Sequence, residues 1–194
     1  MDLGLPSGTK WATQNVGARR PSDYGLYFAW GDTQGYSADQ VGTGEGQKKF
    51  TWADYKWNPS GDGNTFTKYT VAGATLELED DAAHVHMGGR WHMPSPSQTE
   101  ELLDNTTTAW TTSDGVSGMT FTSKKAESKL IFIPAAGVVW DGSVRGSGGS
   151  SSIWSSMLYT DLVDSGQYLF FVSVNVGLSF DSRYGGLSVR GVVG

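Results

Sequence analysis

The only histidines of this chain, His84, His86 and His92, fall within nine residues of one another, a grouping that invites a metal site or proton-transfer chemistry. On a helix, side chains at i and i+2 face apart, so His84 and His86 do not converge on one ion. The His-Glu-x-x-His spacing is absent and so is Cys, the other common zinc ligand. Structural or surface histidines are the expectation, and no metal is assigned. Just upstream, Glu77, Glu79, Asp80 and Asp81 form an acidic run. It lacks the Asp-x-Asp-x-Asp-Gly order of a calcium loop, and a helix N-terminus accounts for the acids. Ser60-Gly61-Asp62-Gly63-Asn64 offers oxygen ligands but reads first as a turn.

Nucleophilic chemistry finds no support. There is no Gly-x-Ser-x-Gly elbow, no thiol and no Gly-rich phosphate loop ending in Lys-Ser/Thr. Ser155-Ser156 reads as structural. Carboxylates for glycoside hydrolysis exist, but nothing singles out a pair. No cofactor is called for, and an enzyme is not expected.

The net charge of −6 argues against a nucleic-acid partner, because phosphate binding needs a basic stripe. Arg19-Arg20, Lys48-Lys49 and Lys124-Lys125 are isolated pairs that read as solvated surface. No apolar run nears the ~20 residues of a membrane helix, so no membrane insertion is expected. Met1-Asp2-Leu3-Gly4 runs straight into domain-like sequence, so any export signal is expected to lie outside this chain. A chain of 194 residues suits one domain spanning residues 1–194, and such a domain buries roughly 70% of its unfolded surface.

The elements that would position a site are short. With 27 Gly, eight Trp and eight Tyr, many turns around short strands are expected. Residues 10–13 and 24–30 are apolar-aromatic runs bounded by Gly, Pro and Asp. Residues 35–49 and 56–70 are polar, Gly-rich loops. Asp80 is the expected cap of a short helix over 81–87, with Gly88 beyond it. A second helix has a fuller signal: Ser95 as N-cap, Pro96 at the first position, Gln98 at the capping-box position, and an end by Asn105. Strands are expected over 119–122, 130–133, 153–159, 168–174 and 187–192, and the Gly/Ser run 143–152 is expected to be loop. Helices followed by strands imply an α+β fold.

The last 61 residues, 134–194, contain no Lys, Glu or His, yet they hold Trp140, Trp154, Tyr159, Tyr168, Phe170, Phe171, Phe180 and Tyr184. Rigid aromatics among Ser, Gly and Asn give contact area at low entropy cost, as in a recognition surface; core strands share the same richness. Strand alternation places Leu169, Phe171 and Ser173 on one side of residues 168–174, and Tyr168, Phe170, Val172 and Val174 on the other. The residues alone describe a soluble α+β domain that binds.

Particular words of the chain carry a resemblance. Asp2-Leu3-Gly4-Leu5-Pro6-Ser7-Gly8-Thr9-Lys10-Trp11-Ala12-Thr13, Asn15-Val16-Gly17-Ala18, Asp23-Tyr24-Gly25 and Phe28-Ala29-Trp30-Gly31-Asp32 open it. Asp80-Asp81-Ala82-Ala83-His84-Val85, Gly88-Gly89-Arg90-Trp91-His92-Met93-Pro94, Glu100-Glu101-Leu102-Leu103-Asp104-Asn105, Ile133-Pro134-Ala135-Ala136-Gly137, Trp154-Ser155-Ser156 and Ser188-Val189-Arg190 continue it. Together they resemble the Fibrobacter-type major paralogous domain, common in gut Bacteroidetes and their phages. The resemblance covers essentially the whole chain in order, with Gln14 where many relatives have Cys and His92 where Arg is common. It implies a C-type-lectin-like fold of the formylglycine-generating-enzyme branch, with two short helices, short mixed or antiparallel strands and Gly-rich loops. That enzyme's catalytic cysteines have no counterpart in this chain, so its activity does not carry over.

Members of this family are similar to variable proteins of diversity-generating retroelements, in which template adenines, chiefly in Asn codons, are randomised. Such a codon yields Tyr, Phe, Ser, Asp, Gly, Val, Leu or Arg among others, but never Lys, Glu, Gln, Trp or Met. The resemblance therefore implies a variable ligand-binding segment within residues 153–190. Its candidates are Ile153, Asp161, Leu162, Asp164, Ser165, Tyr168, Phe170, Val172, Val174, Gly177, Ser179, Phe180, Asp181 and Gly185. Met157 and Gln167 read as fixed, as do Trp154-Ser155-Ser156, Leu158, Leu169, Phe171 and Arg183-Tyr184. Tyr168 and Phe170 are the expected hot spots, with Asp161, Asp164 and Asp181 giving charge specificity at the rim. The residues upstream, 134–152, are expected to be scaffold and loop. The implied role is a hypervariable receptor or adhesin at a cell surface, outside the cell or on a virion. Its partner would be a protein or glycan on another cell or particle. An invariant carbohydrate- or protein-binding module of the same fold, with Trp140 as a sugar platform, is the alternative; a formylglycine-generating-type enzyme or hydrolase is third.

Overall fold

The computed structural model describes residues Met1–Gly194. Its longer helix, α2 (Pro96–Asn105), starts as its sequence predicts. Ser95 Oγ accepts the Gln98 N–H at 3.2 Å, and Gln98 Oε1 accepts the Ser95 N–H at 2.9 Å. These two bonds satisfy donors that the first helical turn leaves free. The shorter helix, α1 (Ala82–Met87), is capped one residue later than expected, by Asp81 rather than Asp80. Asp81 is buried and accepts both the His84 N–H and the Met93 N–H, whereas Asp80 is held by Lys56, Lys68 and Tyr69.

Twelve short strands surround the helices. In chain order they are β1 (Lys10–Trp11), β2 (Tyr27–Phe28), β3 (Thr106–Ser113), β4 (Val116–Ser123), β5 (Leu130–Pro134) and β6 (Val138–Trp140). They continue with β7 (Ser143–Arg145), β8 (Ser150–Leu158), β9 (Ser165–Val172), β10 (Asn175–Ser182), β11 (Leu187–Ser188) and β12 (Val192–Val193). The main sheet runs β10-β9-β8-β11-β2 and is antiparallel except for β8 beside β11. A second sheet, β3-β4-β5, is antiparallel throughout, and two ribbons pair β1 with β12 and β6 with β7. The fold is thus α+β, with two helices and short, mostly antiparallel strands. No helix is long and apolar enough to cross a membrane.

Three expectations are corrected. The Gly/Ser run 143–152 is not all loop: β7 occupies Ser143–Arg145, and β8 begins at Ser150. Its serines lie opposite Val172, Phe171 and Phe170, so small side chains sit beside large ones across the ladder. Residues 187–192 are not one strand but two, interrupted at Val189–Gly191. Strand β9 ends at Val172, leaving Ser173 and Val174 as the two-residue turn into β10.

The main sheet is covered on both sides where β8 crosses the middle of the molecule. On one side Ile153, Leu169 and Phe171 join Leu102 of α2, Met119 and Phe121 of β4, and Ile131 and Ile133 of β5. On the other, Trp154 and Leu158 join Phe28, Trp30, Ala83 and Met93. Two fully buried arginines tie the loops to this frame. Arg183 donates to the carbonyls of Lys68, Tyr69 and Val163 and to the Tyr55 hydroxyl, each at 2.8–2.9 Å. Arg190 donates to the Phe132 carbonyl at 2.8 Å and to Asn15 Oδ1 at 3.1 Å.

Candidate functional site

Antiparallel register brings side chains from three strands onto one outward face. On β9 these are Tyr168, Phe170 and Val172; opposite them stand Ser179, Gly177 and Asn175 of β10, and Trp154, Ser152 and Ser150 of β8. At the Trp154 end the face is closed, because Tyr168 packs edge-on against that buried indole at 5.8 Å. Toward Ser150 it opens, and the β6–β7 ribbon brings Val138 and Trp140 alongside. The result is a groove of about 280 Å³ whose lining includes Trp140, Ser150, Ser152, Tyr168, Phe170, Val172, Ser179 and Asp181.

The Trp140 side is braced from behind. Its ring meets Tyr184 edge-on at 5.2 Å, and Tyr184 in turn meets Trp52 at 4.7 Å. Such aromatic pairs hold orientation as well as area. Asp181 is the one charged residue of the lining, and its Oδ1 accepts the Ser182 N–H at 2.7 Å. Burial pushes the Tyr168 hydroxyl pKa up; the Ser179 hydroxyl opposes the rise and the Asp181 carboxylate adds to it. Burial also raises Tyr184, with Asp141 and Asp181 contributing. The Asp181 carboxylate thus acts on both tyrosines, while Asp141 and the opposing Arg145 act on Tyr184 behind the Trp140 ring.

The fourteen candidate positions divide. Tyr168, Phe170, Val172, Gly177, Ser179 and Asp181 share the outward face. A β-carbon on Gly177 would meet only the edge of the Phe170 ring, at 3.3 Å, so a small side chain fits there after a slight shift. Val174 stands at the hairpin tip, 91% exposed. Asp161, Leu162 and Asp164 lie in the loop joining β8 to β9, with Asp161 and Leu162 exposed and Asp164 half-buried.

Three positions need correction, and a fourth, Phe180, is exposed but apart from the groove. Ile153 is only 1% exposed and lies opposite Leu169 on the inner face, so it is core rather than display. Ser165 is buried where β9 begins; its hydroxyl bonds Asp164 and its carbonyl accepts the Tyr159 N–H. Gly185 is buried against the Trp140 ring, which occupies the space of any side chain placed there. Phe180 is exposed but belongs to the opposite face of β10, where it stacks on Tyr159 at 3.8 Å and 15°.

The sequence reading missed the contribution of residues 134–152, assigned to scaffold and loop. Val138, Trp140, Ser150 and Ser152 all line the groove. The available signal was phase: Ser150, Ser152 and Trp154 alternate in step with the outward side of the next strand. Most of the residues expected to be fixed are buried, while Met157, Gln167 and Tyr184 are half-buried. Trp154, Ser155, Ser156, Leu158, Leu169, Phe171 and Arg183 are all buried.

The other chemical groups are engaged locally. The three imidazoles bond three separate carbonyls, of Trp91, Thr33 and Met93. Glu77, Glu79 and Asp80 bring carboxylates close together, and the Lys68 ammonium bridges them at 2.6, 3.0 and 2.6 Å. That ammonium supplies the positive charge the acids attract. Asp62 accepts from Asn58, Asn64 and Thr65, bonds that close the turn and hold its carboxyl well below the usual range.

Comparison of the chain with protein-family models, with curated proteins and with solved structures found no match. The functional reading therefore stands on the groove and on the residues themselves.

Proposed function

We propose that this chain is a receptor- or adhesin-like ligand-binding domain that displays diversified side chains on a C-type-lectin-like scaffold, working at a cell surface or on a virion. The observation that carries this reading is the division of residues 153–185 by face. Six positions of reachable residue type share one open side of the sheet, while most of the residues expected to be invariant are buried. A surface built this way can change its ligand without changing its fold, because outward side chains contribute little to packing.

The gene's 3′ neighbourhood tests the reading directly. A near-copy of the last segment beside a reverse transcriptase should carry Asn codons at 168, 170, 172, 177, 179 and 181, and none at 153, 165 or 185. Adenines placed at the buried positions instead, or no such copy at all, would remove the diversification reading. The second reading, an invariant carbohydrate- or protein-binding module, is favoured by one observation: the Trp140 indole lines the same groove. In that case no template copy exists, and Trp140→Ala abolishes binding to every ligand of the wild type.

A further inference from the structure

We propose that the groove between Trp140 and strand β9 receives the guanidinium of an arginine side chain presented by a protein partner. The proposal rests on the ligand-binding reading above and names the chemistry of what is bound.

The groove combines three aromatic rings, Trp140, Tyr168 and Phe170, with one carboxylate, Asp181, and no cationic residue in its lining. Each component narrows the choice of ligand. An apolar group would bury the Asp181 carboxylate with only the Ser182 N–H to satisfy it and no counter-charge, which is costly. An anion would be repelled by Asp181, the carboxylate of the lining. A cation satisfies both the carboxylate and the ring faces. Among cations, a planar guanidinium stacks on rings and bonds a carboxylate at once, which an ammonium does less well.

Charge around the groove points the same way. Residues 134–194 hold three arginines, and two of them, Arg183 and Arg190, are fully buried with their donors taken by the protein. The third, Arg145, lies 3.8 Å from Asp141. Exposed charge in this part of the chain is thus Asp141, Asp161 and Asp181 against Arg145 alone, with Asp164 half-buried, a net negative balance. This acidic field steers a basic partner toward the aromatic lining. The same fold already uses the pairing internally: the Arg183 guanidinium lies 4.1 Å from the Phe66 ring centre, and Lys56 lies 4.2 Å from that of Trp57.

The test uses the whole chain and two blocked probes, acetyl-arginine amide and its neutral isostere acetyl-citrulline amide. NMR titration follows the Trp140 indole N–H and the ring signals of Tyr168 and Phe170. Saturable shifts with the arginine probe, at least tenfold weaker with the citrulline probe and with Asp181→Asn, are expected. The binding should also weaken as salt rises, while Asp161→Asn should change it less than twofold. Equal responses to both probes, no response in the groove, or an unchanged Asp181→Asn would overturn the proposal. Panning a random peptide library on the wild type and on Phe170→Ala then separates the two readings. Groove-dependent binders enriched in Arg support both. Groove-dependent binders without basic residues sink the guanidinium and keep the binding surface. A library that yields no groove-dependent binder sinks both.

Discussion

The Trp140 ring occupies the space that a side chain on Gly185 would need. Gly185 closes a turn onto the Ser182 carbonyl, with an N–H···O distance of 3.0 Å, so the backbone there has little room to retreat. The indole can face the groove only because nothing projects from this position. Gly185→Ser should push the ring off its edge contact with Tyr184 and open that side of the groove. Overpacking of this kind costs about 1–3 kcal/mol. A changed near-ultraviolet circular dichroism band together with loss of any groove ligand is the expected outcome. Unaltered Trp140 signals and full binding would show that the contact does not set the wall.

Phe170 and Phe171 are adjacent in sequence and opposite in consequence. Phe171 is fully buried, edge-on to Trp110 and Phe121 at 6.3 Å each, whereas Phe170 is half-buried in the groove. Phe171→Ala should cost about 3–5 kcal/mol through lost burial and the cavity left behind. Phe170→Ala should cost less than about 1 kcal/mol and weaken binding instead. Urea unfolding of both variants checks the pair, and equal losses would place Phe170 in the core. Tyr168 is the intermediate case, since its ring also packs on Trp154; Tyr168→Phe keeps that packing and isolates the hydroxyl.

What the sequence disclosed follows from how local each signal is. The capping box of Ser95 and Gln98 spans four residues and was legible, as was the inward placing of Leu169 and Phe171 by alternation. Strand β10 was not, because Asn175–Ser182 mixes Asn, Gly, Ser and Asp among few strand formers; pairing with β9 makes it a strand. Strand β3 was overlooked despite its Thr-rich, β-branched run, a signal that was present. The Trp140 wall and the bar on a side chain at Gly185 are long-range contacts, which no window of sequence contains. Alternation puts Ile153 out of phase with Ser152 and Trp154, and pairing with Leu169 on the adjacent strand then settles it on the inner face.

Arg183 holds the approach to β11 through acceptors that no other residue serves. Its guanidinium donates to three carbonyls from two loops and to the Tyr55 hydroxyl, all inside the molecule. Arg183→Met fills much of the volume but leaves those acceptors buried without donors, at about 1–3 kcal/mol for each group, less than additively. A total loss above about 3 kcal/mol in urea unfolding is expected. Arg183→Lys should recover little of it, because one ammonium cannot span the same fork. Full recovery by Lys would mean that charge, not the geometry of the bonds, is what matters.

Asp80 gives the fold a defined response to acid. Its carboxylate accepts from Lys68 at 2.6 Å, Tyr69 at 2.8 Å and Lys56 at 3.0 Å. Burial alone would raise its pKa, but the bonds from Lys68, Lys56 and Tyr69 outweigh that and hold it below the ordinary carboxylate value. An acid more strongly ionised when folded than when unfolded stabilises the folded state at any pH above its unfolded pKa, near ~3.9. That contribution fades as pH falls through the folded pKa, where both states become protonated. Asp80→Asn imitates the protonated acid at every pH, so its deficit against the wild type should be largest at neutral pH. The deficit should hold down to about pH 4 and shrink steadily below it. Urea midpoints of the two proteins at pH 7, 5 and 3 measure this difference directly, with the other carboxylates common to both. A deficit that stays constant to pH 3 would mean that Asp80 is not held ionised by its three donors.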